Sequence, residues 1–402
     1  MVEGHCDPAF EAVRTAFTGG FERGEELGAA VAVYAGGRLV VDLWGGVADR
    51  TSGRPWLRDT PCLAFSCTKA VTGTAALLLA ERGAYALDAP VTSWWPEFGA
   101  GGKEAATAEH LLSHQAGLPA LGRTVPAEEA HDPAAMAALL ASQEPEWKPG
   151  TTHGYHALTY GWLAGEIVRR HSGRTVGEFV RDEIAGPRDL DLHVGAADDV
   201  IERAARLSAG RKARKGGTGR RGGGSATGDV PLPMDPHDPL AKMTAGFAEP
   251  ESLINRTFGN PAITAVAGGN NNAEMLRAGW PAIGMVTTAR ALAGFYRDLL
   301  AGRIIGRTTL RDAVARRVAG PDRVMYIDSS FGLGFMRPSL VFLTPTAGWE
   351  SAFGHTGLGG SISLGDMENG LAIAYIPNRM GDEISGGVRA FRLLEAAYTS
   401  AG

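Results

Sequence analysis

The chain has 402 residues, 44% of them hydrophobic and 21% charged, with a formal net charge of −5. That composition supplies a large core of two or three lobes and excludes a nucleic-acid binder working through bulk positive charge. No stretch approaches 18 uninterrupted apolar residues, and MVEGHCDPAFEAV lacks a basic start followed by an apolar run, so neither a membrane span nor a signal peptide is expected.

In chain order, GAAVAVYAGGRLVVDLWGG, residues 28–46, reads as two β-branched runs turning at Gly36-Gly37, a hairpin. AFSCTKAVTGTAALLLAERG, 64–83, reads as a helix with Val71, Ala75 and Leu78 as its apolar stripe and Gly83 as its stop. From about 85 to 290 the pattern is mainly helical and loop-rich, with helices expected at 136–143, at 158–173 ending on Gly173, and at 284–302. Strand signals return in FGLGFMR (331–337), GGSISLGD (359–366) and GLAIAYIPN (370–378). An amphipathic helix with Phe391, Leu394 and Tyr398 on its core side closes the chain.

This order predicts an α+β fold in which both chain ends share one antiparallel sheet flanked by helices. Residues 1–85 and 290–402 form that discontinuous sheet domain, and 86–289 an inserted, mainly helical one. Within the insert, 208–235 is expected to be a flexible basic insertion. Its centre, RKARKGGTGRRGGG (211–224), carries six positive charges and a formal G-x-G-x-x-G at Gly217, Gly219 and Gly222. No hydrophobic strand precedes it and no helix follows, so it does not read as a dinucleotide site.

Ser66 and Lys69 stand at i, i+3 where the chain enters a helix. That spacing places a hydroxyl and an amine on one helix face, and a hydroxyl needs a nearby base to become a nucleophile. Backbone N–H groups at a helix start can stabilise an anionic oxygen. In WKPGTTHGYHALTYGW, 147–162, Tyr155 stands where a loop feeds the next helix. A phenol beside a lysine ammonium is expected to have its pKa lowered and to carry protons. In FGHTGLGGSISLGD, 353–366, His355-Thr356-Gly357 opens a glycine-rich strand whose edge can bind substrate through its backbone.

These stretches, together with HLLSHQAGLPAL, IAGPRDLDLHVG and TTARALAGFY, resemble in their shared order the serine β-lactamase and penicillin-binding-protein superfamily, most of all its class C-like family VIII carboxylesterases, over roughly residues 10–398. The resemblance implies that Ser66 is the acylated nucleophile of S-x-x-K, Lys69 its proton acceptor and Tyr155 the tyrosine of Y-x-N. It implies an oxyanion hole of the Ser66 and Leu358 amides, and His355, Thr356 and Gly357 in the place of K-T-G. Two departures stand out. Y-x-N is Tyr155-His156-Ala157, without its amide, and K-T-G is His355-Thr356-Gly357, with a titratable imidazole for the ammonium. Both weaken recognition of β-lactams while leaving acylation intact. The implied activity is a serine carboxylesterase on small or medium esters. A biosynthetic acyltransferase or hydrolase, a β-lactamase or D-amino-acid peptidase, and a non-catalytic scaffold relative are the alternatives.

No cofactor and no metal is expected. His110 and His114 have helical i, i+4 spacing, but Leu111 stands where H-E-x-x-H needs its glutamate, and no third ligand suggests itself. The three cysteines, Cys6, Cys62 and Cys67, lack metal-cluster spacing and read as free thiols of a cytoplasmic protein. Cys67, beside Ser66, reads as buried and inert rather than reactive. His153 and His156 flank Tyr155, and His156 is expected to line the substrate pocket. Trp94 and Trp95 read as core. The expected partner is a small-molecule ester, with no nucleic acid and no membrane.

Overall fold

A computed structural model of the chain describes residues 1–209, 238–381 and 386–402. Its centre is an antiparallel sheet built from the two ends of the chain. The N-terminal part contributes β1 (Val2–Cys6), β2 (Gly28–Ala35) and β3 (Arg38–Asp49). The C-terminal part contributes β4 (Ala352–Thr356), β5 (Ile362–Asp366) and β6 (Leu371–Pro377). The strand order is β1-β3-β2-β6-β5-β4, with the short pair Arg54–Pro55 added on β3. The two ends join where β2 pairs with β6, from Ala35↔Leu371 to Ala29↔Pro377.

The β2–β3 turn is the hairpin that Gly36-Gly37 predicts. Both glycines have positive φ, 56° and 81°, a conformation that glycine adopts without Cβ strain. Both sheet faces are buried, which is why β2 reads as a continuous apolar run. Val31 and Val33 point to one face with Phe17 of helix α1 (Glu11–Glu22). Ala30, Ala32 and Tyr34 point to the other, into the larger core.

Three further helices matter for the site: α2 (Thr68–Glu81), α3 (Thr159–Ser172) and α4 (Ala289–Leu300). The closing helix α5 (Gly387–Ala401) packs against α1. Gly173 caps α3 in a left-handed conformation at φ 70°, the stop read from the sequence. Helix α2 differs from its amphipathic reading, because every residue from Thr68 to Leu79 is buried. It is the central helix of the molecule, so no solvent-facing stripe exists. The predicted helix at 284–302 begins instead with a strand, Met285–Thr287, which pairs with Cys62–Leu63 and Leu192–Val194 in a second, three-stranded sheet. Phe391 is only half-buried, and Leu393, Leu394, Ala397 and Tyr398 form the core side of α5. Of FGLGFMR, only Phe331 lies in a strand, Asp328–Phe331. The basic segment 211–224 lies outside the described residues.

Candidate active site

Ser66 lies in a single 3-10 turn, Phe65–Cys67, that leads into α2. The turn is strained: Phe65 has φ 48°, a region that a bulky residue occupies at a cost of about 1–3 kcal/mol. Neighbouring bonds hold it there. The Thr68 hydroxyl donates to the Phe65 carbonyl at 2.5 Å and accepts the Met285 N–H at 3.0 Å. The Ala64 N–H donates to the Met285 carbonyl at 2.9 Å, so the second sheet pins the turn from below.

Lys69, one turn further on, places Nζ 3.1 Å from Ser66 Oγ. It also donates to the carbonyls of Ala157 (2.7 Å) and Ala282 (3.2 Å). The side chain is fully buried and, among the described residues, has no carboxylate partner. Burial therefore pushes its pKa well below the usual lysine value. Tyr155 joins from the loop before α3, with Lys69 Nζ 4.9 Å from the centroid of its ring, and lines the same cavity as Ser66. Contrary to the sequence reading, the phenol pKa is raised. Burial dominates, and the neighbouring lysine supplies no lasting positive charge to lower it.

The end of β4 meets the nucleophile turn through Gly357. A Cβ there would lie 2.5 Å from the Ala64 carbonyl oxygen and 2.1 Å from Ser361 Oγ, so only glycine allows this approach. The approach brings Leu358 and Thr356 to the wall of one cavity with Ser66 and Tyr155. That cavity holds about 680 Å³ of empty space, its open mouth included. Its other walls are mainly apolar, with Phe258, Ile263, Ile283, Met325, Phe331, Met336 and Val341 among them.

The pattern of the Beta-lactamase family matches residues 13–398. The chain is 35% identical over 395 residues to the esterase/beta-lactamase LipL of Mycobacterium tuberculosis, covering 94% of this chain and 83% of that protein. Among solved structures, a penicillin-binding-protein homolog from Caulobacter crescentus superposes over the full length of both chains with a TM-score of 0.82 and 37% identity. A family VIII carboxylesterase does so with a TM-score of 0.84 and 29% identity, again over the whole of both chains. The chain belongs to the Beta-lactamase family. It is a serine hydrolase with the β-lactamase-like fold.

Three residues expected to touch substrate in this β-lactamase-like site do not line its cavity: Gly357, which packs against Ala64 and Ser361, and two histidines. The His156 ring is clamped inside the protein: Nδ1–H donates to the Gly154 carbonyl at 2.7 Å and Nε2 accepts the Leu118 N–H at 3.0 Å. With both nitrogens used and the ring buried, its pKa is pushed down to about 3. His355 is likewise buried and pushed down to about 3, with Nδ1–H donating to the Thr356 carbonyl at 2.6 Å. It lies behind the Tyr155 ring, the centroids 6.1 Å apart, rather than on the wall. Alternation along β4 explains this, since Thr356 faces the cavity and its neighbour faces away. The place that K-T-G fills with an ammonium thus holds a neutral imidazole.

The histidines of HLLSH have separate structural jobs. His110 completes the capping box of the short helix Ala108–Leu112 with Thr107. His114 Nδ1 accepts the His156 N–H at 3.1 Å, and its ring packs 5.2 Å from that of Tyr155. Cys67 is fully buried, and burial pushes its thiol up to about 11, so it is inert beside the serine.

Two contributors were invisible in the sequence. The Ala282 carbonyl, which holds Lys69, is backbone and carries no residue signature. Asp322 accepts the Tyr155 N–H at 3.1 Å from 167 residues away, and no local pattern links the two.

Proposed function

We propose that the protein is a carboxylesterase that cleaves small or medium esters with apolar groups through an acyl-Ser66 intermediate. The observation that carries this is the setting of Lys69. A neutral amine has two hydrogens, and two carbonyls, Ala157 and Ala282, are placed to receive them. Its lone pair is then left for the Ser66 hydroxyl at 3.1 Å. Burial keeps the amine unprotonated near neutral pH, so the base is ready before substrate arrives.

In the first step Ser66 Oγ attacks the ester carbonyl and its proton passes to Lys69. The Ser66 and Leu358 amides hold the tetrahedral oxyanion. Among the described residues neither amide has another partner, and each such donor is worth about 3–4 kcal/mol. Collapse breaks the C–O bond, and the leaving alkoxide takes the phenol proton of Tyr155, which the Lys69 ammonium restores. Water then repeats the sequence on the acyl-enzyme, releasing the acid and returning the proton to Ser66.

The setting supports ester rather than lactam chemistry. Ala157 replaces the asparagine amide, the lysine of K-T-G is replaced by a His355 that lies off the wall, and the cavity around Ser66 is mainly apolar. Ester cleavage is in the names of both relatives, the esterase/beta-lactamase and the family VIII carboxylesterase, and the first name carries lactam cleavage as well. The test is turnover of p-nitrophenyl esters and labelling by a fluorophosphonate, in wild type and Ser66→Ala. Labelling that persists in Ser66→Ala, or nitrocefin turnover that matches ester turnover, refutes the proposal.

A further inference from the structure

We propose that Asp322 is a positioning residue for Tyr155, its buried carboxylate fixing the tyrosine backbone so that the phenol stands over Ser66 and Lys69. The inference rests on the serine-hydrolase reading above.

Asp322 is 2% exposed and has no cationic partner among the described residues. Its carboxylate is instead filled by four neutral donors. Oδ1 accepts the N–H of Tyr155 (3.1 Å), Val324 (2.8 Å) and Met325 (2.9 Å). Oδ2 accepts the Ser329 hydroxyl at 2.7 Å. With its hydrogen spent on Asp322, Ser329 Oγ can only accept from His153 Nε2–H, which lies 3.0 Å away.

The carboxylate therefore grips the loop before Tyr155 at two points, the Tyr155 amide directly and the His153 ring through Ser329. A third bond, from the Arg323 N–H to the His153 carbonyl at 3.2 Å, locks the same two segments together. Beyond Tyr155 the chain is fixed separately, by His114 on the His156 amide. The tyrosine is thus held from both sides, and Asp322 supplies one of them. Burying an ionised carboxylate is costly, and four hydrogen bonds for one purpose is an arrangement that a fold-only role would meet more cheaply with an apolar turn. The turn also builds the cavity, since Met325 and Ser329 both line it. A displacement of about 1 Å in a catalytic group can reduce a rate 100-fold. The negative charge of Asp322 further disfavours a tyrosinate and keeps the phenol a donor.

A double-mutant cycle on the full-length chain separates positioning from general stability. The readout is kcat/KM for an ethyl ester, whose ethoxide leaves with the Tyr155 proton. Asp322→Ala is expected to lower it by about 10–100-fold. In a Tyr155→Phe background the same change is expected to cost less than threefold, because the phenol it positions is already gone. Equal losses in both backgrounds, or wild-type ethyl ester turnover by folded Asp322→Ala, overturn the inference. If Asp322→Ala does not fold, Asp322→Asn takes its place. It keeps an acceptor for the three amides but cannot accept from Ser329, so a loss of about 3–10-fold, confined to the Tyr155 background, is expected. A wild-type rate, or a loss repeated in Tyr155→Phe, overturns the inference. Fluorophosphonate labelling of Ser66→Ala would instead refute the underlying hydrolase reading.

Discussion

Lys69 Nζ stands 4.9 Å from the centroid of the Tyr155 ring, and both side chains are buried. In water this pairing would favour an ammonium over the ring face. Here burial opposes that attraction, lowering the pKa of the lysine and raising that of the tyrosine. Both shifts favour the neutral forms, an amine and a phenol beside one serine.

A buried neutral lysine has a consequence for stability. Its folded pKa lies below the unfolded value, so the unfolded chain binds the extra proton and stability is lost as pH falls. Replacing Lys69 by Met removes this proton uptake. Lys69→Met is expected to abolish esterase activity yet to melt above wild type at pH 7. The advantage should shrink as pH rises towards the unfolded lysine pKa, about 10.4. Thermal melts of both proteins from pH 6 to 10 check this, and a gap that widens with pH contradicts it.

Tyr155→Phe keeps the ring that packs against His114 and Phe331 and removes only the hydroxyl. General acid–base groups of this kind are worth about 10²–10⁴-fold. The variant should fold with a melting temperature near wild type and lose that factor in kcat, measured with p-nitrophenyl esters.

Gly357→Ala tests the approach of β4 to the nucleophile turn. The new methyl would sit 2.5 Å from the Ala64 carbonyl oxygen, so the strand end must retreat and take the Leu358 amide with it. A loss of about 100-fold in kcat is expected, the scale of one missing oxyanion donor. Gly122→Ala, whose new methyl would sit 3.5 Å from Gln143 Oε1, is the control and should remain near wild type.

His355→Lys restores the residue of K-T-G without restoring its setting. Position 355 is 1% exposed, and burial already pushes the imidazole there towards its neutral form. An ammonium there has no carboxylate to pair with among the described residues. The variant is expected to melt below wild type by the several degrees that about 1–3 kcal/mol represents, and to gain no nitrocefin turnover. A melting temperature at or above wild type, with new lactam hydrolysis, would show that the imidazole is what withholds that activity.

Much of this was legible in the residues because it is local. The Gly36-Gly37 turn, the strands of β5 and β6, the end of α3 at Gly173 and the Ser66–Lys69 spacing each follow from a few neighbours in sequence. What misled was environment. Helix α2 carries threonines and a lysine that look like a wet face, yet they point into packed protein and bond to Phe65, Ala70, Pro281 and Ala157. Met285–Thr287 has a helical continuation in sequence but is captured as a strand by Cys62–Leu63, a pairing across more than two hundred residues. The lowered phenol pKa expected for Tyr155 assumed a charged lysine, and only burial, a property of the whole fold, decides that charge. His156 and His355 looked like pocket residues because they adjoin Tyr155 and Gly357, and strand alternation and a ring clamp turn both away.

The two carbonyls that hold the Lys69 amine belong to positions 88 and 213 residues downstream of it, and the amide proposed as the second oxyanion donor comes later still, at Leu358. A ribosome-bound fragment that has exposed Ser66 and Lys69 owns the motif without the chemistry. Ester cleavage is thus a report on complete closure of the chain, and a truncated or half-folded copy stays silent.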